Sequence, residues 1–156
     1  MKLYLFAIIF FFQASIIFSK SFTGKVVAVL DGDTFIVVDS NNFQQRIRLS
    51  GVDAPEKNQN YGQKAKYALS SLIYYKTVVV NYANYDKYGR IIGLVYVNSE
   101  NINEQMLKLG FVWAYLKYLD ASNIHYKDLE RNARNSKFGL WNDNQPIPPW
   151  EFRKNQ

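Results

Sequence analysis

Three short clusters hold the residue types that phosphate chemistry needs: Asp31-Gly32-Asp33-Thr34, then Arg48 with Val52-Asp53-Ala54-Pro55-Glu56, then Asp86-Lys87-Tyr88-Gly89-Arg90. A phosphodiester is anionic, gains charge in its transition state and resists attack by water. A site that cleaves one needs positive charge aimed at the phosphoryl oxygens and a group that positions or deprotonates the water. Asp33 and Asp53 offer hard carboxylate oxygens suited to Ca²⁺ or Mg²⁺. Arg48 and Arg90 can each fork two hydrogen bonds onto a phosphate, which lysine does less well. Glu56 is then available as general base, and Pro55 bends the chain so that Glu56 and Asp53 face one cavity from a single loop. Taken singly, the first and third clusters also read as hairpin turns and the second as a solvated loop. Their combination is what points to catalysis.

The elements that must position these clusters are legible from periodicity. Phe22 to Leu30 and Phe35 to Asp39 read as strands, joined by an Asp-Gly pair that favours a tight hairpin. Gln44 to Leu49 alternates, with Ile47 and Leu49 on one face and Arg46 and Arg48 on the other, so Arg48 should project away from the core-directed pair. Ala65, Ala68, Leu69, Leu72 and Ile73 recur at helical spacing. Thr77 to Tyr82 and Ile91 to Val97 are β-branched runs, and the Asp86–Arg90 cluster supplies the turn between them. In the last third, Asn103 is expected to cap a helix through Leu109 that Gly110 ends, and Ser122 to cap another reaching about Ser136. An extended tail with Trp141 and Trp150 as anchors should then wrap the body. Five short strands with a helix after the third suggest an α+β, mainly β fold, a Greek-key barrel of OB type.

Composition narrows the classes. Met1-Lys2 followed by an almost unbroken apolar run from Leu3 to Phe18 and small residues at Ser19 and Ser21 reads as a secretory signal peptide over residues 1–19. The run is short for a membrane span, so an uncleaved anchor is the lesser reading. One domain over residues 20–156 is expected to follow, exported to the periplasm or the medium and monomeric. With no cysteine, that domain must be held by its core, and thiol nucleophiles and Cys-rich zinc sites are excluded. The excess of 19 basic over 13 acidic residues suits a polyanionic partner. His125 is the only histidine, which argues against multi-His metal sites and histidine-based nuclease motifs. The tyrosines at 74, 75, 82, 85, 96, 118 and 126 suit barrel core and rim better than a base-stacking platform.

With these motifs in order, the sequence resembles the staphylococcal nuclease family, the thermonucleases. Further matches are Asn103 to Gly110, Trp113-Ala114-Tyr115, Gly139-Leu140-Trp141 and Pro148-Pro149-Trp150-Glu151-Phe152-Arg153, so that the resemblance runs from about Val26 to Arg153. It implies a five-stranded OB barrel with three helices and a calcium-dependent nuclease, acting on DNA and RNA and leaving 3′-phosphate ends. It also implies roles: Asp33 and Asp53 as carboxylate metal ligands with the Ala54 carbonyl, Arg48 and Arg90 as phosphate clamps, Glu56 as the base. Tyr88 and, more loosely, Tyr115 would contact the nucleotide. No obligate protein partner is implied. A non-catalytic nucleic-acid-binding OB module is the alternative, but a pure binder has no use for carboxylates that repel phosphate. A cell-surface interaction protein on the same fold would rest on the leader alone.

Overall fold

The computed structural model describes residues 20–156, and the expected leader over residues 1–19 lies outside the described residues. Five strands make the body: β1 (Lys20–Val29), β2 (Thr34–Asp39), β3 (Gln44–Leu49), β5 (Thr77–Tyr85) and β6 (Ile91–Val97). Neighbours run antiparallel in the order β3-β2-β1-β5-β6, and a parallel pairing of β3 with β6 closes the sheet into a mixed barrel. Two-residue strands β4 (Val52–Asp53) and β8 (Trp113–Ala114) pair outside it, and β7 (Glu100–Asn101) extends the β6 edge. The helices are α1 (Gly62–Ile73), α2 (Ile102–Lys108), α3 (Tyr126–Asn135) and a single turn, α4 (Pro149–Phe152). The expected OB-type barrel is therefore the fold, with one short helix beyond the three expected.

Alternation sets which residues fill the barrel. Along β6 every second residue from Ile91 to Val97 is buried, and in β3 Ile47 and Leu49 point in while Arg46 and Arg48 point out. Phe35, Val37, Val78 and Val80 complete the layer, and α1 lays Ala65, Leu69 and Ile73 against the barrel. Such a core suffices for a cysteine-free domain. No helix among the described residues is long and apolar enough to cross a membrane.

Three local expectations need correction. The cap of α2 is Asn101, whose side chain accepts from the Glu104 N–H; Asn103 is instead fully buried inside the helix. Its amide accepts from Val95 N at 3.0 Å and donates to Ser50 O at 2.9 Å and Gly93 O at 3.1 Å. Ser122 caps nothing, because Asp120 takes both its amide and its hydroxyl, and α3 starts only at Tyr126. The tail is not extended: Gly139–Asn142 forms a 3₁₀ turn and Pro149 opens α4 from the first helical position, where its fixed φ suits a helix. Both tail tryptophans do anchor it, with Trp141 and Trp150 edge-on to Trp113 at 4.5 and 5.6 Å. The Arg134 guanidinium of α3 lies over Trp141 at 3.9 Å and pairs with Glu130, whose other oxygen accepts from Ala114 N in β8.

The bonds of Asn103 tie α2 to β6 and to the turn after β3, so its loss leaves Val95 N–H and Ser50 O without this partner, while Gly93 O keeps the Ser50 N–H. Asn103→Ala is expected to lower the free energy of unfolding by roughly 2–4 kcal/mol with an unchanged denaturant slope. Urea denaturation measures it, and a loss below ~0.5 kcal/mol would contradict the bonding described.

Candidate active site

The barrel register brings the clusters together. Thr34 stands opposite Arg48 in the β2–β3 ladder, so Asp33 at the end of the β1–β2 turn lies beside the Arg48 side chain. β8 holds β4 through Asp53 opposite Trp113, which places the second carboxylate on the other side of the guanidinium. Arg48 Nη1 meets Asp33 Oδ2 at 2.6 Å and Nη2 meets Asp53 Oδ1 at 2.7 Å. Both carboxylates are almost fully buried, with side chains 5% and 1% exposed.

The β1–β2 connection is a hairpin, as the Asp-Gly pair suggests, but its glycine is not there for a left-handed backbone. Leu30 and Asp31 N–H groups both reach Thr34 O, and Gly32 has no positive φ. Gly32 is needed for room: a Cβ there would lie 2.6 Å from the Ala65 Cβ and 2.7 Å from the Ala54 Cβ. That close approach seats the turn against α1 and lets Ala54 N donate to Asp33 Oδ2 at 2.9 Å. Gly62, at the start of α1, likewise leaves space for the Glu56 carbonyl.

Buried charge shapes the acid–base character of this corner. Burial pushes the Asp33 carboxyl up, but the Arg48 guanidinium, the Ala54 N–H and the Thr34 hydroxyl outweigh it and hold it below the usual carboxylate range. Burial pushes the Asp53 carboxyl up; a bond from Arg153 works against the rise, and the Asp33 charge adds to it. Asp31 is raised to about 6, by burial first and by the neighbouring Asp33 charge second. Burial lowers the Arg48 guanidinium, but the two carboxylates more than restore its charge.

Next to β3 in the barrel, Asp86 organises the β5–β6 hairpin. Its Oδ1 accepts from the Tyr88 and Arg90 N–H groups, and its Oδ2 takes Arg90 Nε at 2.7 Å. Burial pushes Asp86 up, but these bonds hold it below its ordinary value. Arg90 Nη atoms bond no protein group among the described residues. Tyr88 stands largely exposed beside it, its ring 5.4 Å from the Arg90 guanidinium.

All eight residues singled out in the sequence line a single cleft of about 850 Å³. Tyr115 is among them, with one ring face stacked on Trp150 at 5.3 Å. Of the tyrosines expected in core and rim, Tyr126 is core, whereas Tyr82, Tyr85 and Tyr118 line the cleft. His125 does not line it and stands at the start of α3, 3.1 Å from Glu104 Oε1. Sequence reasoning gave no role to three residues: Asp31, which lines the same corner; Asp86, read only as turn chemistry; and Arg153, which bonds Asp53 and Glu56. The first two sit inside clusters already noted, whereas Arg153 ends the matched tail motif but lies 97 positions from Glu56, so nothing in the sequence joins the two.

A divalent cation is testable against this donor set. Among the described residues no three acidic or histidine side chains form a ready cage. The corner nonetheless fits a hard cation. Its donors are oxygens only, and two carboxylates suffice for an ion that keeps several waters.

Gly32→Ala is expected to cost about 1–3 kcal/mol, because the new methyl meets two Cβ atoms that have no flexible end to move aside. Unfolding curves with unchanged midpoints would show that the turn has more room than this packing allows.

Comparison with known proteins gives concordant matches. The family model described as staphylococcal nuclease homologue matches residues 46–143. An uncharacterized endonuclease of Escherichia coli is 45% identical over 131 residues, covering 83% of this chain and 84% of that protein. One of Haemophilus influenzae is 40% identical over 134 residues, covering 86% and 74%. A micrococcal nuclease of Shigella flexneri is 36% identical over 142 residues, covering 85% and 81%.

Proposed function

The chain belongs to the staphylococcal nuclease family and is a nuclease, and on that premise we propose that it is an exported, metal-dependent phosphodiesterase that hydrolyses DNA and RNA at the Arg48–Arg90 cleft. The observation that carries the reading is the fork of Arg48 between Asp33 and Asp53, facing the cleft that Glu56 and Arg90 also line. A cation on the two carboxylates would release this guanidinium, which already lies beside the place where a phosphoryl oxygen gains charge.

Asp33, Asp53 and the Ala54 carbonyl would hold the metal. Calcium is the preferred ion on the family resemblance and magnesium the alternative, since both take hard oxygen ligands. When bound, the ion would supply Lewis-acid charge to the phosphate and lower the pKa of a nearby water. The protein's own groups do the rest. Arg48 from β3 and Arg90 from just before the neighbouring β6 hold the phosphoryl oxygens, and Tyr88 offers a ring beside Arg90 for a nucleotide. Glu56 takes the proton of the attacking water as its oxygen bonds to phosphorus. The P–O5′ bond breaks, the 5′-oxygen takes a proton from solvent water, Glu56 returns its proton to solvent, and a 3′-phosphate remains. The apolar run over residues 3–18 supports export, with removal of residues 1–19 and a monomeric mature domain.

Glu56→Gln is expected to lower kcat roughly 10²–10⁴-fold, as for loss of a general base. Arg48→Ala and Arg90→Ala should each cost ~10²–10³-fold. Cleavage of single-stranded DNA by the mature protein should stop with chelator and return with added calcium. Wild-type turnover in the purified Arg90 variant, or chelator-resistant cleavage, would refute the assignment. Mass spectrometry of the exported protein checks the leader, and an intact Met1 would refute its removal.

A further inference from the structure

Arg153 is the one cleft guanidinium that the proposed chemistry leaves unused. It follows α4, and its side chain, 40% exposed, enters the cleft from the C-terminal segment. Nη2 donates to Asp53 Oδ2 at 2.8 Å and Nη1 donates to Glu56 Oε1 at 2.6 Å. Burial lowers the Arg153 guanidinium, but these two carboxylates more than restore its charge.

The same segment grips the Glu56 loop at two further points. Gln59 Nε2 donates to Ile147 O at 2.6 Å, and Asn60 Nδ2 donates to Asp143 Oδ2 at 2.5 Å. Inside the loop, Glu56 N donates to Gln59 Oε1, so the residue gripped by the tail is also the one that fixes the Glu56 backbone. The segment is firmly seated in turn: Pro149 is buried, and Trp150 stacks on Tyr115 with 2° between the ring planes. The loop and the tail therefore form one braced unit, with Arg153 at its catalytic end.

We propose that Arg153 is a positioning residue for Glu56, holding Oε1 so that Oε2 is presented to the attacking water. The inference rests on the reading of Glu56 as the base. Among the described residues no protein group bonds Oε2, which leaves it for water. The side chain of Glu56 is 36% exposed and, without this bond, would sample several rotamers. A base displaced by an ångström or so can cost on the order of a hundredfold in rate. A role as third phosphate clamp fits less well. Arg153 bonds Glu56 itself, whereas neither Arg48 nor Arg90 does so among the described residues.

The test uses R153A, R153K, E56Q and the R153A/E56Q double variant of the mature protein. Readouts are kcat and KM on single-stranded DNA with calcium, the Kd for the same DNA in chelator, and Tm. R153A is expected to lower kcat ~10–100-fold, with KM and Kd changed less than about twofold. Tm is expected to fall, since the buried Asp53 loses its bond at Oδ2, so rates are compared at a temperature where every variant is fully folded. R153K should recover part of the rate, because an ammonium can meet one carboxylate but cannot fork across both. In the E56Q background the R153A change should cost less than about twofold, since its partner's chemistry is already gone. Unchanged kcat in R153A, or a full loss that persists beside E56Q, would overturn the role. So would weakened DNA binding at normal kcat, the mark of a phosphate clamp, or a gain in kcat, the mark of an inhibitory latch. If E56Q itself turns over like wild type, the reading of Glu56 falls and the Arg153 role with it. A crippled E56Q beside an unaffected R153A removes only the latter.

Discussion

The site depends on one arrangement of buried charge: a single guanidinium held between two carboxylates that have almost no contact with water. Asp33 and Asp53 come from different segments, the β1–β2 turn and β4, and Arg48 comes from β3. Removing two carboxylates from water is expensive, and their attraction to Arg48 offsets this only because both bonds are short and the remaining lone pairs are served by Ala54, Thr34 and Arg153. The support extends outward. β4 rests on β8, β8 on Glu130 of α3, and α3 on the tryptophans of the tail through Arg134. The helical last third thus keeps one carboxylate of the barrel in register with the other.

The two cleft arginines that the sequence singles out are held in different ways. Arg48 is fixed on both sides and mostly buried, whereas Arg90 is tied through Nε alone to Asp86 at a hairpin. Asp86 builds that hairpin and orients the arginine with the same carboxylate, so the turn chemistry read from the sequence and the placement of the charge are one device.

Legibility followed the range of the determining interaction. Strand β6 has the bounds read from its β-branched run, and Arg48 projects away from Ile47 and Leu49, because a period of two leaves no other choice once one face is buried. The caps were harder. Asn101 and Asn103 both suit a cap by type, and the choice turned on Glu104 three residues past Asn101 and on buried carbonyls that only the fold brings to Asn103. The pairing of β4 with β8 joins segments of two residues each, too short for any periodicity. Gly32 looked like a turn glycine, yet the reason for it is a methyl group on α1, more than thirty residues on. Arg153 closes a motif visible in the tail, but its place in the cleft was hidden for the same reason: tail packing brings its partners to it, and proximity in the sequence gives no hint of them.

The electrostatics of the cleft also bear on why a cation belongs in the proposed chemistry. Asp31, Asp33, Asp53 and Glu56 stand at one corner, opposed there by Arg48 and Arg153, while Arg90 is matched by its own Asp86. Even with Asp31 protonated, carboxylates outnumber guanidiniums at that corner. A basic protein surface can draw a polyanion in, but the corner itself would repel the phosphate it must engage. A divalent ion on Asp33 and Asp53 would reverse that sign locally and compete with Arg48 for their oxygens, leaving the guanidinium free to turn toward the substrate. On this reading, the ion pairs of the cleft keep the carboxylates ordered and partly neutral until metal and phosphate replace them. The buried charge that costs the fold stability is then the same charge that makes the site depend on metal.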